Sequence, residues 1–420
     1  MPLETPMLRV VAVGSVDDGK STLIGRLLHD TGHLTRDQLE AVEEASRRRG
    51  RKGVDLALLT DGLRAEREQG ITIDAAYRSF EADGRRILLA DAPGHVQYTR
   101  NMVTAAAGSD VAILLVDAAN GIMPQTRRHL ALCALLGLRE IIACVNKIDL
   151  VGYDEARFRE IEAGLGEVAE GVGCRHLTVV PLSALEGANV VERSDAMPWY
   201  DGPTVLELLR DIDPPIAEDA LRLPVQWIVR HDEGGADVRG LAGRIESGMV
   251  AVGDEVVALP SGVSSRVARI DVLGEDREAA AAPLSVAVHL EDDVDVARGD
   301  VIVAADAAPA LADRVEATVA WLDEQPLAAG ARLELRQGTR TVPVIVEALQ
   351  ARLELDTLEH EPAASLEAND IGLIALHAAA PIVAEAYAAN RALGGVILID
   401  PGTNRTVGVV MLRGATVPAA

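Results

Sequence analysis

Residues 14–22 read Gly-Ser-Val-Asp-Asp-Gly-Lys-Ser-Thr, and Gly14 to Ser21 fit G-x-x-x-x-G-K-[ST]. The pattern carries weight only between a strand and a helix, and both flanks comply. "LRVVAVG" (8–14) is a short apolar run rich in β-branched residues, as expected of a buried parallel strand. "STLIGRLLHD" (21–30) has helical spacing. Such a loop binds phosphate oxygens through backbone N–H groups and the helix N-terminus. Gly14, Ser15, Val16, Asp17, Asp18, Gly19, Lys20, Ser21 and Thr22 are therefore the candidate phosphate cradle. Lys20 is expected to reach the β- and γ-phosphates and the Ser21 hydroxyl to ligate Mg²⁺. Two adjacent acids inside an anion site are a puzzle. Because backbone groups make the contacts, the side chains of Asp17 and Asp18 are free to point elsewhere.

Four further signals follow downstream. "DAPGH" (91–95) ends another apolar strand; Asp91 there can hold Mg²⁺ through water, and the Gly94 N–H can meet the γ-phosphate. "EREQGITID" (66–74) supplies Thr72, a hydroxyl for Mg²⁺ on a segment that γ-phosphate would order. In "NKID" (146–149), Asp149 can accept from guanine N1–H and N2–H₂, a donor pair that adenine lacks. Asn146 suits the base edge, and the Lys147 stem suits the base face. "SAL" (Ser183, Ala184, Leu185) would turn backbone N–H groups toward guanine O6.

Taken singly these are a turn, a strand residue or a loop. Taken together they occur in order, and all but Thr72 lie at or just after strand ends. Such ends converge on one crevice in an open α/β sheet. The reading is GTP binding with hydrolysis. Because the protein does little covalent chemistry on the phosphoryl group, the attacking water must be oriented, and His95 beside Gly94 is the candidate. His29 and His33 mimic a metal pair by spacing, but Gly32 interrupts the helix and no third ligand is evident.

The composition bounds this reading. A chain of 420 residues is expected to form two or three domains, and 49% apolar with 25% charged residues is an ordinary globular mixture. There is no apolar run of eighteen residues for a membrane span, and "MPLETPMLRV" lacks the layout of a signal peptide. Cys133, Cys144 and Cys174 have no paired spacing and read as buried thiols in a reducing, cytoplasmic setting. A net charge of −25 weighs against a broad nucleic-acid or anionic-membrane surface. Of 40 basic residues only Lys20, Lys52 and Lys147 are lysines, and two of those three lie in the nucleotide motifs.

Along the chain, Thr35 and Gln38 take capping-box positions ahead of a helix, and Asp83-Gly84 marks a hairpin turn. Apolar strands then alternate with helices near 126–136 and 154–170, which predicts a mostly parallel sheet covered on both faces. After "DIDPP" (211–215) the pattern becomes short alternating runs punctuated by glycine, as in β-barrels. "VAADAAPALAD" (303–313) reads as a linker. The expected architecture is an α/β P-loop GTPase domain (1–215) followed by two β-barrel domains (216–308 and 309–420).

"GSVDDGKST", "EREQGITI", "DAPGH", "NKID", "MPWYDGPT" and "GRIESGMVAVGD" together resemble the translation-factor-related GTPases, to which elongation factor Tu belongs. "GSVDDGKSTLIGRLLHDT", "DLALLTDGLRAEREQGITID", "DAPGHVQYTRNM" and "LPSGVSSRVARI" are more similar to the sulfate-activating branch, the GTPase subunits of bacterial two-subunit sulfate adenylyltransferases. The resemblance covers essentially the whole chain and implies the same three-domain layout.

It further implies a heterodimer or higher assembly with a smaller ATP-sulfurylase catalytic subunit. That partner would bind ATP and sulfate and form adenylyl sulfate and pyrophosphate, an unfavourable step driven by GTP hydrolysis here. Coupling would pass through the segment around Thr72 and the loop after Asp91. Some relatives carry a fused adenylyl-sulfate kinase; with no second G-x-x-x-x-G-K-[ST] that activity is not expected, and an H-x-G-H motif of single-chain sulfurylases is also missing. At Asp17 the resemblance implies a monovalent cation near the phosphates. Asp18 stands where elongation factor Tu-like loops tend to have His, which points to the sulfate branch. Two other readings are a translation factor delivering aminoacyl-tRNA, disfavoured by charge, and a GTP-dependent scaffold that drives no chemistry.

Overall fold

The computed structural model describes residues 7–48, 56–59, 76–94, 98–213, 220–233, 236–354, 357 and 359–415. They form two compact units, one of Met1–Pro215 and one of Ile216–Glu354 with Glu359–Ala420. The first unit is built on six strands: β1 (Leu8–Gly14), β2 (Ala76–Ala82), β3 (Arg85–Asp91), β4 (Val111–Asp117), β5 (Glu140–Asn146) and β6 (His176–Pro181). Their order in the sheet is β2-β3-β1-β4-β5-β6.

Every neighbouring pair is parallel except β2 with β3. That exception follows from the connection: Asp83 (φ 48) and Gly84 (φ 80) make a two-residue turn, which only antiparallel strands can use. All seven residues of β4 are buried, as in a strand covered on both faces. From β1 the chain crosses one way to β3 and then the other way to β4, so the carboxyl ends of these strands open a crevice. Gly14, Asp91, Asp117 and Asn146 are those strand ends.

Helix α1 (Lys20–Asp30) buries Leu23, Ile24, Leu27 and Leu28 against the sheet core. It stops before Gly32 (φ 73). The two histidines around that stop have separate partners: His29 Nδ1 lies 2.7 Å from Asp30, and His33 Nε2 accepts the Glu81 N–H at 3.0 Å. Helix Arg36–Arg48 begins directly after Thr35, and helices Pro124–Leu135 and Glu155–Gly171 stand where spacing placed them. Aromatic residues make up only 2% of the chain, yet three of them, Phe158, Trp199 and Tyr200, pack together in tilted and edge-to-face pairs. The Trp199 indole N–H donates to the Tyr153 carbonyl at 3.1 Å and so braces the segment after "NKID".

The second unit holds two β-barrels. The first has a core of Leu223, Val225, Leu241, Val267, Ile270, Val288 and Ile302. In the second, Arg332–Gln337, Gly395–Asp400, Arg405–Ala415, Leu311–Trp321, Ile371–Val383 and Arg340–Leu353 pair in turn, and the last pairs back to the first. Closure leaves these strands without an open edge. The barrels are joined by shared packing of Leu259, Val301 and Val303 with Val383 and Leu393. Arg222 adds Nη2 and Nε donations to the Glu385 carboxylate at 2.9 and 3.0 Å. The linker expected over 303–313 is shorter than its composition suggests. Val303 pairs with Val257 and Arg222, and Leu311 pairs with Val383, so strand ladders claim both ends. Among the described residues no helix is long and apolar enough to cross a membrane.

Candidate functional site

The loop between β1 and α1 resolves the puzzle of its two acids. Asp18 turns inward and accepts the Ser15 N–H on Oδ2 at 2.7 Å, closing the loop on itself. Burial raises its pKa, opposed by that N–H and by the Lys20 charge. Asp17 takes the left-handed conformation (φ 65) and is exposed. The two acids therefore have different surroundings.

Lys20 is buried at the first turn of α1 and donates through Nζ to the Gly14 and Ser15 carbonyls, each at 2.8 Å. Burial lowers its pKa, while Asp91, Asp18 and Asp17 push it back up. Two of the three ammonium protons are used, leaving one for an anion. Among the described residues no side chain caps the start of α1, and its first turn holds no acid. That helix end presents unfilled donors and a positive dipole to the crevice.

The strand-end acids complete the phosphate side. The Ser21 hydroxyl donates to Asp91 Oδ2 at 3.3 Å. Gly94 approaches so closely that a Cβ on it would lie 2.7 Å from the Gly14 oxygen and 2.8 Å from Lys20 Nζ. Behind it, Gln125 Nε2 donates to the Gly94 carbonyl at 3.4 Å and lies 3.1 Å from His129 Nε2. Burial, helped by the Lys20 and Arg128 charges, lowers the His129 pKa to about 3, so the ring is neutral. It can accept from Gln125 in that state.

On the other side, Asn146 bridges two loops. Its Nδ2 donates to the Asp18 carbonyl at 2.7 Å and its Oδ1 accepts the Ala184 N–H at 2.9 Å. The structure thus gives Asn146 a positioning task beyond the base contact expected from sequence. Gly19 (φ 93) makes room for it, since a Cβ there would sit 2.4 Å from the Asn146 amide nitrogen. Lys147, also left-handed (φ 59), donates through Nζ to Asp117 Oδ2 at 2.8 Å. Burial would raise the Asp117 pKa, but the Lys147 and Ala119 hydrogen bonds outweigh it and hold it low. Asp149 Oδ1 is buried without a hydrogen-bond partner among the described residues. Ser183 Oγ accepts the Glu186 N–H at 3.2 Å and closes the loop that carries Ala184 and Leu185. Because Ala184 directs its N–H at Asn146, the Leu185 N–H is the donor left for a base.

The structure therefore brings together Gly14–Thr22, Asp91, Gly94, Asn146, Lys147, Asp149 and Ser183–Leu185. Thr72 and His95 lie outside the described residues. Sequence reading missed Asp117, although an acid ending "VAILLVD" obeys the same rule that picked out Asp91. It also missed Arg26 and the Gln125–His129 pair, for which no motif gives a signal. In chemical terms the crevice offers a cation and uncapped amides to phosphate, hard oxygen donors to a divalent cation, and an unpaired carboxylate oxygen to a base.

The elongation factor Tu GTP binding domain family matches residues 5–216, and the GTP-eEF1A C-terminal domain-like family matches residues 314–413. Sulfate adenylyltransferase subunit 1 of Shewanella oneidensis is 45% identical over 415 residues, covering 97% of this chain and 85% of its own length. The bifunctional enzyme NodQ of Rhizobium sp. (strain N33) is 46% identical over 97% of this chain and 63% of its own length. For the bifunctional enzyme CysN/CysC of Xylella fastidiosa the identity is 46%, over 96% and 65%. The chain thus spans less than two thirds of these bifunctional relatives and most of the subunit 1 protein. The Shewanella oneidensis relative carries the name of a sulfate adenylyltransferase subunit. The chain belongs to the sulfate adenylyltransferase subunit 1 family, with a nucleotide domain of the elongation factor Tu GTP-binding type.

Proposed function

We propose that this crevice binds GTP with Mg²⁺ and hydrolyses it, and that hydrolysis drives adenylyl sulfate and pyrophosphate formation from ATP and sulfate on a smaller partner subunit. The observation that carries the nucleotide reading is the pairing of two unfilled groups at opposite ends of one crevice. Lys20 and the uncapped α1 terminus supply positive potential at one end. The Asp149 oxygen, without a partner among the described residues, supplies a guanine acceptor at the other.

The residues present fit Mg²⁺: a hydroxyl and a carboxylate, Ser21 and Asp91, already face each other at 3.3 Å, and such hard oxygen donors suit this ion. Mg²⁺ when bound neutralises charge on the β- and γ-phosphates. Around it Lys20 and the loop amides hold phosphate oxygens, and the Gly94 N–H meets the terminal one. Thr72 adds a hydroxyl to the metal, and His95, next in sequence to Gly94, orients the attacking water. Asp17, exposed in the phosphate loop, is the residue assigned to a monovalent cation. Asn146, Lys147, Asp149 and Ser183–Leu185 read guanine.

The same proposal assigns 1–215 to the nucleotide domain and 216–308 and 309–420 to the barrels, in a cytoplasmic heterodimer or larger assembly. Its support is the family membership together with the site. The test is to co-express the chain with the small subunit of such an enzyme and assay sulfate-dependent pyrophosphate release. GTP should stimulate it, and His95→Ala should retain GTP binding while slowing turnover. Release indifferent to GTP would sink the proposal.

A further inference from the structure

Arg26 has no place in any nucleotide motif, yet it is tied to the base loop. It lies on α1 six residues beyond Lys20. Its Nε donates to the Ala184 carbonyl at 3.1 Å, and its Nη2 donates to the Leu185 carbonyl. Asp30, one turn further on, faces the same guanidinium at 3.5 Å and helps to orient it. The Ala184 residue is consequently gripped from both sides, its N–H by Asn146 and its carbonyl by Arg26.

We infer that Arg26 is a positioning residue for guanine selection, which rests on the GTP reading above. By fixing two successive carbonyls of the Ala184–Leu185 segment, it fixes the direction of the Leu185 N–H that lies between them. That N–H is the donor left to meet a base oxygen at position 6. The planar fork of Arg suits the task, because one rigid group reaches two acceptors at once. Leu185 itself is 60% exposed, so side-chain packing alone gives its peptide little orientation. The helix that cradles phosphate thereby also sets the base contact.

The test compares the affinities of three diphosphates for wild type, Arg26→Ala and Arg26→Gln: GDP, IDP, and the 2-aminopurine riboside diphosphate that lacks O6. In wild type GDP should bind better than either analogue. In Arg26→Ala the preference for GDP over the 2-aminopurine nucleotide should fall roughly tenfold, as for loss of one oriented hydrogen bond. The preference for GDP over IDP should hold, because Asp149 reads the 2-amino group independently. Gln can reach one carbonyl, so Arg26→Gln should fall between and serves if the Ala variant does not fold. An equal loss for all three nucleotides would reduce Arg26 to a structural prop and overturn the inference while leaving the GTP reading intact. Failure of wild type to bind GDP at all would overturn both.

Discussion

The Asn146 side-chain amide donates to the Asp18 carbonyl at 2.7 Å, joining residues 128 positions apart in sequence. This contact ties the loop that meets phosphate to the loop that meets the base. Replacing Asn146 with Ala removes it and leaves the buried Ala184 N–H without its acceptor. Each lost buried hydrogen bond costs about 1 kcal/mol, and an orphaned buried group about 1–3. Affinity for GDP should fall by roughly 10- to 100-fold in a titration with fluorescent nucleotide. A change under threefold would show that the bridge is dispensable.

Asp149 should set which purine is bound. Asp149→Asn exchanges an acceptor oxygen for an N–H₂ donor. Guanine N2–H₂ then faces a donor, whereas xanthine, with an oxygen at that position, gains a partner. The variant should prefer XTP to GTP, with the preference shifted by about 10²-fold or more for an opposed donor pair in a buried site. Competition binding with both nucleotides measures this, and an unchanged order of preference would contradict the assignment of Asp149.

His129 makes the nucleotide unit sensitive to acid. Its folded pKa of about 3 lies below the ordinary value of 6.5. Between those values the unfolded chain binds a proton that the folded chain does not, so stability falls as pH drops below 6.5. From pH 7.5 to 5.5 the loss assigned to this residue is about 1.4 kcal/mol. Denaturant unfolding of wild type and His129→Gln at both pH values should show the variant losing less by that amount. Parallel losses would refute the buried neutral state.

The thiols should differ in reactivity. Burial pushes the Cys133 thiol up to about 12 and the Cys144 thiol higher still, so neither yields thiolate at neutral pH. Cys174 is half-buried, and burial also raises its pKa. Brief alkylation of the native protein followed by mass spectrometry should label Cys174 first, with Cys133 and Cys144 reacting only on unfolding. Early labelling of Cys144 would contradict its place in the sheet core.

Much of this arrangement is legible in the sequence because its determinants are local. Loop glycines, apolar strands and the Asp83-Gly84 turn act within a few residues, and strand ends inherit their place from the order of alternating elements. Asp117 is legible by the same rule, since it ends an apolar strand as Asp91 does, although it lies in no named motif. Arg26 and Gln125 were not legible, since each acts on a loop that only tertiary packing brings near, and His129 acts only through Gln125. The linker over 303–313 misled for a related reason: small residues look like a tether until partner strands supply ladders for Val303 and Leu311.

The joint between the barrels has a consequence for how such a gene can change. Arg222 and Glu385 are 8% and 15% exposed, and each leaves an unpaired, buried charge if the other is lost. A chain shortened at residue 308 would strand Arg222 and bare the apolar patch of Leu259, Val301 and Val303. The second barrel is therefore no detachable appendage. Either barrel made without the other is expected to expose this shared face to water, so a stable fragment must keep both.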